Sequence, residues 1–242
     1  YLLTKGDLPI SLNQIFDEMK LATELMVKSN SPIKTIGASG FTFNNAGANA
    51  VQELAFTLAT SAEYLNEIIS RGLKADDAAK RIKFTFGIGS FYFMEVAKLR
   101  AARVLWSKIL EAYEVKEENR KIFIHGQSSK FNQTFFDPFV NSLRTTTEAF
   151  SAIVGGVDSL QTNAYDESFN QSDHFARRLA RNTQIILKEE LHLDQVIDPA
   201  GGSYFVEKLT DDIANAAWKL FQKIEEKGGM LKAIQSGFVQ DE

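Results

Sequence analysis

The side chains of this chain that could do chemistry lie at the ends of short strand-like segments. His125 and Gln127 end one such segment, and Asn163 and Glu167 follow the next. A histidine acts as a base or a hydrogen-bond donor near neutral pH, whereas amides hold and orient a ligand. His125 therefore has two interpretations: a core histidine bonded to a backbone carbonyl, or a donor to something bound.

A further polar group lies in SGFTFNNAGANAVQELA, residues 39 to 55, where a strand-like run meets a long helical pattern. A general acid or base at such a junction would be an ionisable side chain. Thr42, Asn44 and Asn45 stand there instead, and none of them titrates near neutral pH. The stretch therefore predicts a polar position without acid–base chemistry of its own.

The remaining polar residues predict structure rather than chemistry. No Ser-His-Asp arrangement and no metal-ligand spacing stands out, so we expect no metal site. His174 and His192 lie in polar helical surroundings and are expected to be solvated. Lys98, Arg100 and Arg103 alternate with apolar residues, which predicts a helix that buries aliphatic stems and keeps its charges in water.

The elements that position these groups follow from apolar spacing. It predicts strands over 34–39, 81–86, 121–125 and 158–163, and helices over 11–29, 51–69, 91–114, 138–154, 173–190, 205–226 and 228–236. Strands that alternate with helices at this spacing indicate parallel βαβ units. Polar residues after each strand would then gather at one end of the sheet.

The predicted fold class is α/β, a partial TIM (β/α)8 barrel of about four units followed by C-terminal helices. A doubly wound sheet would carry a G-x-G-x-x-G motif after its first strand, and this motif is absent. Eight units at this spacing need roughly 320 residues, so the chain would form half a barrel. Its edges would need the missing half, another chain or a second copy.

Composition limits the class of protein. The 242 residues are 44% hydrophobic with no Ser/Gly-rich linker, which predicts a single domain over 1–242. A net charge of −4 without a basic stripe argues against nucleic acid, and no apolar run reaches a membrane span. The lack of cysteine makes the cytoplasm the expected location. The start at Tyr1 predicts a fragment of a longer protein.

Several long stretches resemble the acyl-CoA-binding barrel of the methylmalonyl-CoA mutase family, which are adenosylcobalamin-dependent radical isomerases. They include RIKFTFGIGSFYFMEVAKLRAARVLW (81–106), HGQSSKF (125–131), DSLQTNAYDE (158–167) and DPAGGSYFVEKLTDDIANAAWKLFQKIEEKGGM (198–230). The resemblance implies the C-terminal half of the (β/α)8 barrel. The segment around Thr4 and Lys5 matches poorly, so the arginine that binds the substrate carboxylate in this family has no assigned position.

The resemblance also implies a degenerate catalytic position. Where catalytic members of the family read S-G-Y-H-M-Q-E-A-G-A, this chain reads SGFTFNNAGA, so Thr42 replaces the histidine, Asn44 the glutamine and Asn45 the glutamate. In the family that histidine polarises the thioester carbonyl between corrin and substrate. His125, Gln127, Asn163 and Glu167 match residues retained in the family and imply a remnant cofactor site.

These replacements imply a small, non-catalytic subunit that stabilises a large catalytic partner in a heterodimer. Adenosylcobalamin would be bound in the holoenzyme and not by this chain, which lacks the Asp-x-His-x-x-Gly motif of the cobalamin domain. One alternative is a fragment of an active acyl-CoA mutase with an altered substrate. Another is an unrelated barrel lyase in which His125 is the base. The half-barrel could also associate with itself.

Overall fold

The sheet has four parallel strands in chain order. A computed structural model describes residue 6 and residues 8–242, so Thr4 and Lys5 lie outside the described residues. The strands are β1 (Ile36–Ser39), β2 (Ile82–Ile88), β3 (Ile124–Ser128) and β4 (Ser159–Gln161), in the order β1-β2-β3-β4. The prediction of four parallel strand–helix units, a partial (β/α)8 barrel, is confirmed.

The helices surround this sheet, and the long ones agree with the predicted ranges. They are α1 (Leu12–Lys28), α2 (Phe41–Asn45), α3 (Ala50–Ser70), α4 (Ala75–Ala79), α5 (Tyr92–Ala112), α6 (Asn141–Val154), α7 (His174–Glu189), α8 (Tyr204–Glu226), α9 (Met230–Gln235) and α10 (Phe238–Asp241). The short helices α2, α4 and α10 were not predicted, because four or five residues are too few to show a helical period.

The prediction of a third strand over 121–125 was wrong by three residues. Ile122 and Phe123 are as apolar as Ile124, so local sequence does not choose between them. The start of β3 is set by pairing with β2, in which Phe84 lies opposite Ile124. The shift brings Gln127 into the strand itself, two residues beyond His125.

The two faces of the sheet have opposite character. The back face carries buried residues such as Phe84 and Phe86, and the Trp106 ring of α5 lies 4.8 Å from the Phe84 ring. Helix α8 packs across both α3 and α5 and completes this core. The other side, here called the inner face, is polar: Ser39, Thr85, His125 and Ser159 form one row across the four strands, with Gln127 in the next row.

Local capping fixes where α3 begins and so fixes the loop before it. The Asn49 side chain accepts hydrogen bonds from the Val51 and Gln52 amides, and the Gln52 side chain accepts one from the Asn49 amide. Such a reciprocal capping box satisfies backbone donors that a helix start leaves free. Residues 41–48 are thereby held between the end of β1 and a fixed helix start.

Candidate functional site

Helix α2 carries Thr42, Asn44 and Asn45 and lies over the carboxyl end of β1. Gly40 permits this close approach, since a Cβ there would lie 2.4 Å from Thr57 Oγ1 of α3. Thr42 lines a cavity of about 350 Å³ together with Ser39 and Tyr64. The carboxyl ends of the strands and their loops, here called the mouth, are where barrels of this kind place their chemistry.

The two asparagines of α2 have structural partners. Asn44 Oδ1 accepts a hydrogen bond from Ser129 Oγ at 2.7 Å, and its Nδ2 donates to Glu53 Oε2 at 3.3 Å. Asn45 Oδ1 accepts the Lys130 backbone N–H at 3.1 Å. Both side chains therefore connect α2 to the residues that follow β3. The side-chain carbonyl oxygen of each asparagine already accepts a hydrogen bond.

Behind the mouth lies a buried ion cluster, here called the mouth cluster, formed by Glu53, Glu95, Lys98 and the Gly87 backbone. Lys98 Nζ lies 2.6 Å from both Glu53 Oε2 and Glu95 Oε2, and it donates to the Gly87 carbonyl at 2.7 Å. Glu53 Oε1 accepts the Gly87 N–H at 2.6 Å. The cluster therefore hydrogen-bonds both the backbone N–H and the carbonyl group of Gly87, near the end of β2.

The electrostatics of the mouth cluster follow from its burial. Burial lowers the pKa of Lys98, but attraction to Glu53 and Glu95 outweighs it and leaves the pKa above its ordinary value. Burial raises the pKa of the Glu53 carboxyl, with Lys98 opposing the shift. The prediction that Lys98 keeps its charge in water was wrong, because its side chain is fully buried.

Sequence reasoning missed this cluster because lysine and glutamate are rarely buried. Two signals were present in the chain. Glu53 directly precedes the apolar run Leu54–Phe56 of a helical stretch, and Glu95 precedes Lys98 by three residues, the spacing at which helical side chains meet.

His125 lies on the inner face of β3, half-buried. Its Nδ1 is 2.8 Å from Ser159 Oγ, so its partner is a hydroxyl rather than the backbone carbonyl of one interpretation. Burial lowers the pKa of His125, and the nearby Lys83 adds to this effect. The imidazole is therefore neutral at pH 7. Gln127 lies two residues further along the same face.

Asn163 and Glu167 face elsewhere. Asn163 is buried and its Nδ2 donates to the Ser128 carbonyl at 2.7 Å. Glu167 accepts the Ala164 N–H at 3.2 Å and lies 3.4 Å from Lys130 Nζ. His125 and Glu167 line a cavity of about 920 Å³ along β4, whereas Gln127 and Asn163 do not. The four residues do not surround one common space.

In the part of the chain that the structure describes, Thr42 has no ionisable neighbour free to replace a histidine. Among the described residues that line its cavity, only Glu63 and Tyr64 titrate. The Glu63 carboxylate accepts the backbone N–H groups of Met230 and Leu231, and Tyr64 packs against Phe16. His125 lies two strands away from β1, roughly 10 Å at the usual strand spacing.

The described part of the chain contains no group of three or more His, Cys, Asp or Glu side chains arranged to hold a metal ion. His174 and His192 are exposed. Within the same residues, no helix combines the length and the apolar composition that a membrane crossing requires.

The fold and the site define an incomplete (β/α)8 barrel with a polar mouth, and comparison with known proteins gives its family. A family model described as methylmalonyl-CoA mutase matches residues 1–242. The chain belongs to the methylmalonyl-CoA mutase family.

Three relatives show the range of the similarity. The chain is 46% identical over 209 residues to the methylmalonyl-CoA mutase small subunit of Porphyromonas gingivalis, covering 86% of this chain and 34% of that protein. It is 48% identical over 204 residues to methylmalonyl-CoA mutase of Escherichia coli, covering 84% of this chain and 29% of that protein. It is 42% identical over 228 residues to the methylmalonyl-CoA mutase large subunit of Porphyromonas gingivalis, covering 94% of this chain and 31% of that protein. The chain spans about a third of the length of these relatives.

Mutases of this family are generally cobalamin-dependent, but the described mouth residues do not fit that cofactor as a set. The carbonyl oxygens of Asn44 and Asn45 already accept hydrogen bonds, and Thr42 offers a short hydroxyl in place of a ring nitrogen. His125 uses its Nδ1 toward Ser159 on a different part of the sheet. The side chains of Asn44, Asn45 and His125 thus bind other parts of the chain and do not point together toward one corrin.

Proposed function

We propose that this chain is part of a small, non-catalytic subunit of adenosylcobalamin-dependent methylmalonyl-CoA mutase, acting in propionate metabolism in the cytoplasm. Residues 1–242 would form a single domain, the C-terminal half of its acyl-CoA-binding barrel. The large subunit would carry the interconversion of methylmalonyl-CoA and succinyl-CoA. This chain would stabilise that subunit.

The observation that carries the proposal is which groups the side chains of α2 offer and which residues they contact. A subunit that polarises a thioester carbonyl needs a donor at the mouth, and a positioned general acid contributes about 10²–10⁴-fold to the rate. Thr42 cannot supply that proton near neutral pH. Asn44 and Asn45 serve the loop after β3 instead of a substrate.

The partner is argued from similarity and from exposed surface. One organism, Porphyromonas gingivalis, has both a small and a large mutase subunit similar to this chain. Aromatic side chains are exposed on residues 129–137, here called the mouth loop, with Phe131 at 67%, Phe135 at 67% and Phe136 at 82% exposure. Association that buries such surface stabilises both partners by mass action.

A titration of the intact protein with adenosylcobalamin tests the proposal, with the large subunit as the positive control. We expect no change in the corrin absorption spectrum and no isomerisation of methylmalonyl-CoA by this protein alone. Adding it to the large subunit should raise the melting temperature of that subunit. Tight binding with turnover by this protein alone would overturn the proposal.

Substitutions in the complex separate the proposal from an active mutase of altered substrate. We expect Thr42→Ala and Gln127→Ala to leave turnover by the complex unchanged, because neither side chain would touch substrate. Turnover of another branched acyl-CoA that both substitutions abolish would show that this chain carries the chemistry. A cobalamin-independent activity lost in His125→Gln would show a lyase.

A further inference from the structure

One of the contacts that hold the mouth loop is a hydrogen bond to a buried carboxyl group of α6. Glu148 of α6 is 1% exposed, and its Oε1 accepts a hydrogen bond from Asn132 Nδ2 of the loop at 2.5 Å. Among the described residues no lysine, arginine or histidine forms an ion pair with it. An isolated carboxylate in such surroundings is strongly disfavoured.

The other carboxyl oxygen of Glu148 lies near the Ser128 hydroxyl, which can either donate or accept a hydrogen bond. Glu148 Oε2, Ser128 Oγ and Asn163 Oδ1 are all buried without a hydrogen-bond partner in the described part of the chain. Asn163 is bonded to the backbone of Ser128, so these groups converge at the end of β3. One hydrogen atom on Glu148 Oε2 would turn an acceptor into a donor and satisfy a neighbour.

The charged groups around Glu148 do not favour its ionised form strongly enough. From α5 it faces Glu95, a like charge already paired with Lys98, and from its own helix it faces Arg144. The mouth loop contributes the Asn132 amide and β3 the Ser128 hydroxyl. Burial dominates and raises the pKa of Glu148 to about 8.

We infer that Glu148 is a proton-operated latch for the mouth loop. With the carboxyl group of Glu148 protonated, the loop stays docked on α6 through Asn132. Loss of the proton to solvent leaves a carboxylate that must reach water, and the shortest route is to lift the loop away from α6. The latch thereby controls how the exposed aromatic side chains Phe131, Phe135 and Phe136 are presented. This inference does not depend on the proposed function.

The direction of the pH effect follows from linkage. The folded state binds the Glu148 proton more tightly than the unfolded chain, whose carboxyl group has the ordinary pKa of 4.5. The stabilisation is therefore complete below that value and is lost as pH rises through about 8. Opening is expected on the alkaline side of neutrality.

Hydrogen exchange of the intact protein tests the latch directly. The amides of Phe131, Gln133 and Thr134 are bonded within the mouth loop and to α6, so they report its docking. After correction for the intrinsic base-catalysed rate, we expect their exchange to rise about tenfold between pH 6 and pH 9. In Glu148→Gln, which keeps the shape but cannot ionise, the step should vanish and the loop should stay protected.

Two further variants keep the test decisive if Glu148→Gln folds poorly. Asn132→Ala removes the hydrogen bond to Glu148, so the amides of Phe131 and Gln133 should exchange faster than in wild type at pH 6 while β2 amides stay protected. Glu189→Gln removes an exposed carboxylate and should retain the wild-type step. In wild-type protein, the ¹³C resonance of the Glu148 carboxyl should titrate near pH 8. Titration below pH 5, or a flat exchange profile from pH 6 to pH 9, would overturn the inference.

Discussion

The mouth cluster and the inner face are both polar, but they are held in different ways. In the mouth cluster, Lys98 and Glu53 are fully buried, and their charged groups contact each other and the backbone of Gly87. On the inner face, His125 has a single hydroxyl partner and remains half-buried. Polar residues that fix the fold thus lie behind the mouth, whereas those on the inner face are available to a partner or a ligand.

This difference shows that retained polar residues need not mark a retained site. Asn44 and Asn45, which were predicted as degenerate positions of the site, are polar but bond to residues after β3, so they belong with the residues that fix the fold. Asn163 belongs there too, since it is buried against the Ser128 carbonyl. Of the predicted site residues, His125 and Gln127 remain on the inner face, and Glu167 lines the same cavity as His125.

The largest expected effect comes from breaking the mouth cluster. Lys98→Met should lower the free energy of unfolding by about 3–5 kcal/mol, because it leaves two buried carboxylates without a cation. Urea unfolding measures this change. Lys208→Met is the matched control, since Lys208 pairs with Asp212 at the surface and its loss should leave stability unchanged. Equal effects of the two substitutions would show that burial of the cluster is unimportant.

A second substitution tests the contact between α2 and β2. Gly87→Ala would place a Cβ 2.3 Å from Asn44 Cγ, so we expect a loss of about 2 kcal/mol from overpacking. The double variant Gly87→Ala/Asn44→Ala removes Asn44 Cγ and Oδ1 but leaves its Cβ 2.7 Å from the added methyl group. The obstacle is therefore removed in part, and the combined loss should be smaller than the sum of the single losses. Thermal unfolding of Gly87→Ala, Asn44→Ala and the double variant measures the coupling free energy between the two positions.

The control for that cycle is Gly37→Ala on β1, where an added Cβ meets no atom within 4 Å. It should be tolerated. Additive losses for Gly87 and Asn44 would contradict the contact.

A smaller difference in stability should distinguish the two regions when one amide side chain is removed from each. Asn45→Ala removes the acceptor of the Lys130 N–H and should cost about 1 kcal/mol. Gln127→Ala on the inner face should change stability by less than about 0.5 kcal/mol, as surface substitutions usually do. Parallel urea titrations test the pair. A greater loss for Gln127→Ala would reverse the assignment of the two regions.

The smallest effect is the pH dependence that His125 contributes. Because its pKa is lowered in the folded state, its stabilisation is complete above the ordinary value of 6.5 and is lost as pH falls through the folded pKa. Wild-type protein should lose stability between pH 7 and pH 5 more steeply than His125→Gln. The exposed His174, replaced in the same way, is the control. Identical slopes for wild type and His125→Gln would show that the imidazole is not perturbed.

The sequence was sufficient for the fold wherever a pattern was long. Helices α5 and α8 each repeat their apolar spacing over several turns, and β1 ends at Ser39 as predicted, whereas β2 runs two residues beyond its predicted end at residue 86. The start of β3 was not predictable from local residues, since it depends on pairing with a strand about 40 residues earlier. Register is a tertiary property.

The site was predicted less completely, because sequence names residues but not the direction of their side chains. The resemblance located Asn44, Asn163 and His125, yet nothing in the motifs indicated that the first two face buried partners. The mouth cluster and Glu148 escaped prediction for a different reason. A charged residue is assigned to the surface unless its three-dimensional neighbours are known.

The position of α8 across α3 and α5 has a consequence for how the chain folds as it is made. More than 130 residues separate Ser70, where α3 ends, from Tyr204, where α8 begins. At the usual rate of translation, this interval lasts roughly ten seconds. During that time the apolar sides of α3 and α5 lack their final cover, so chaperones that bind nascent chains have a defined period in which to act.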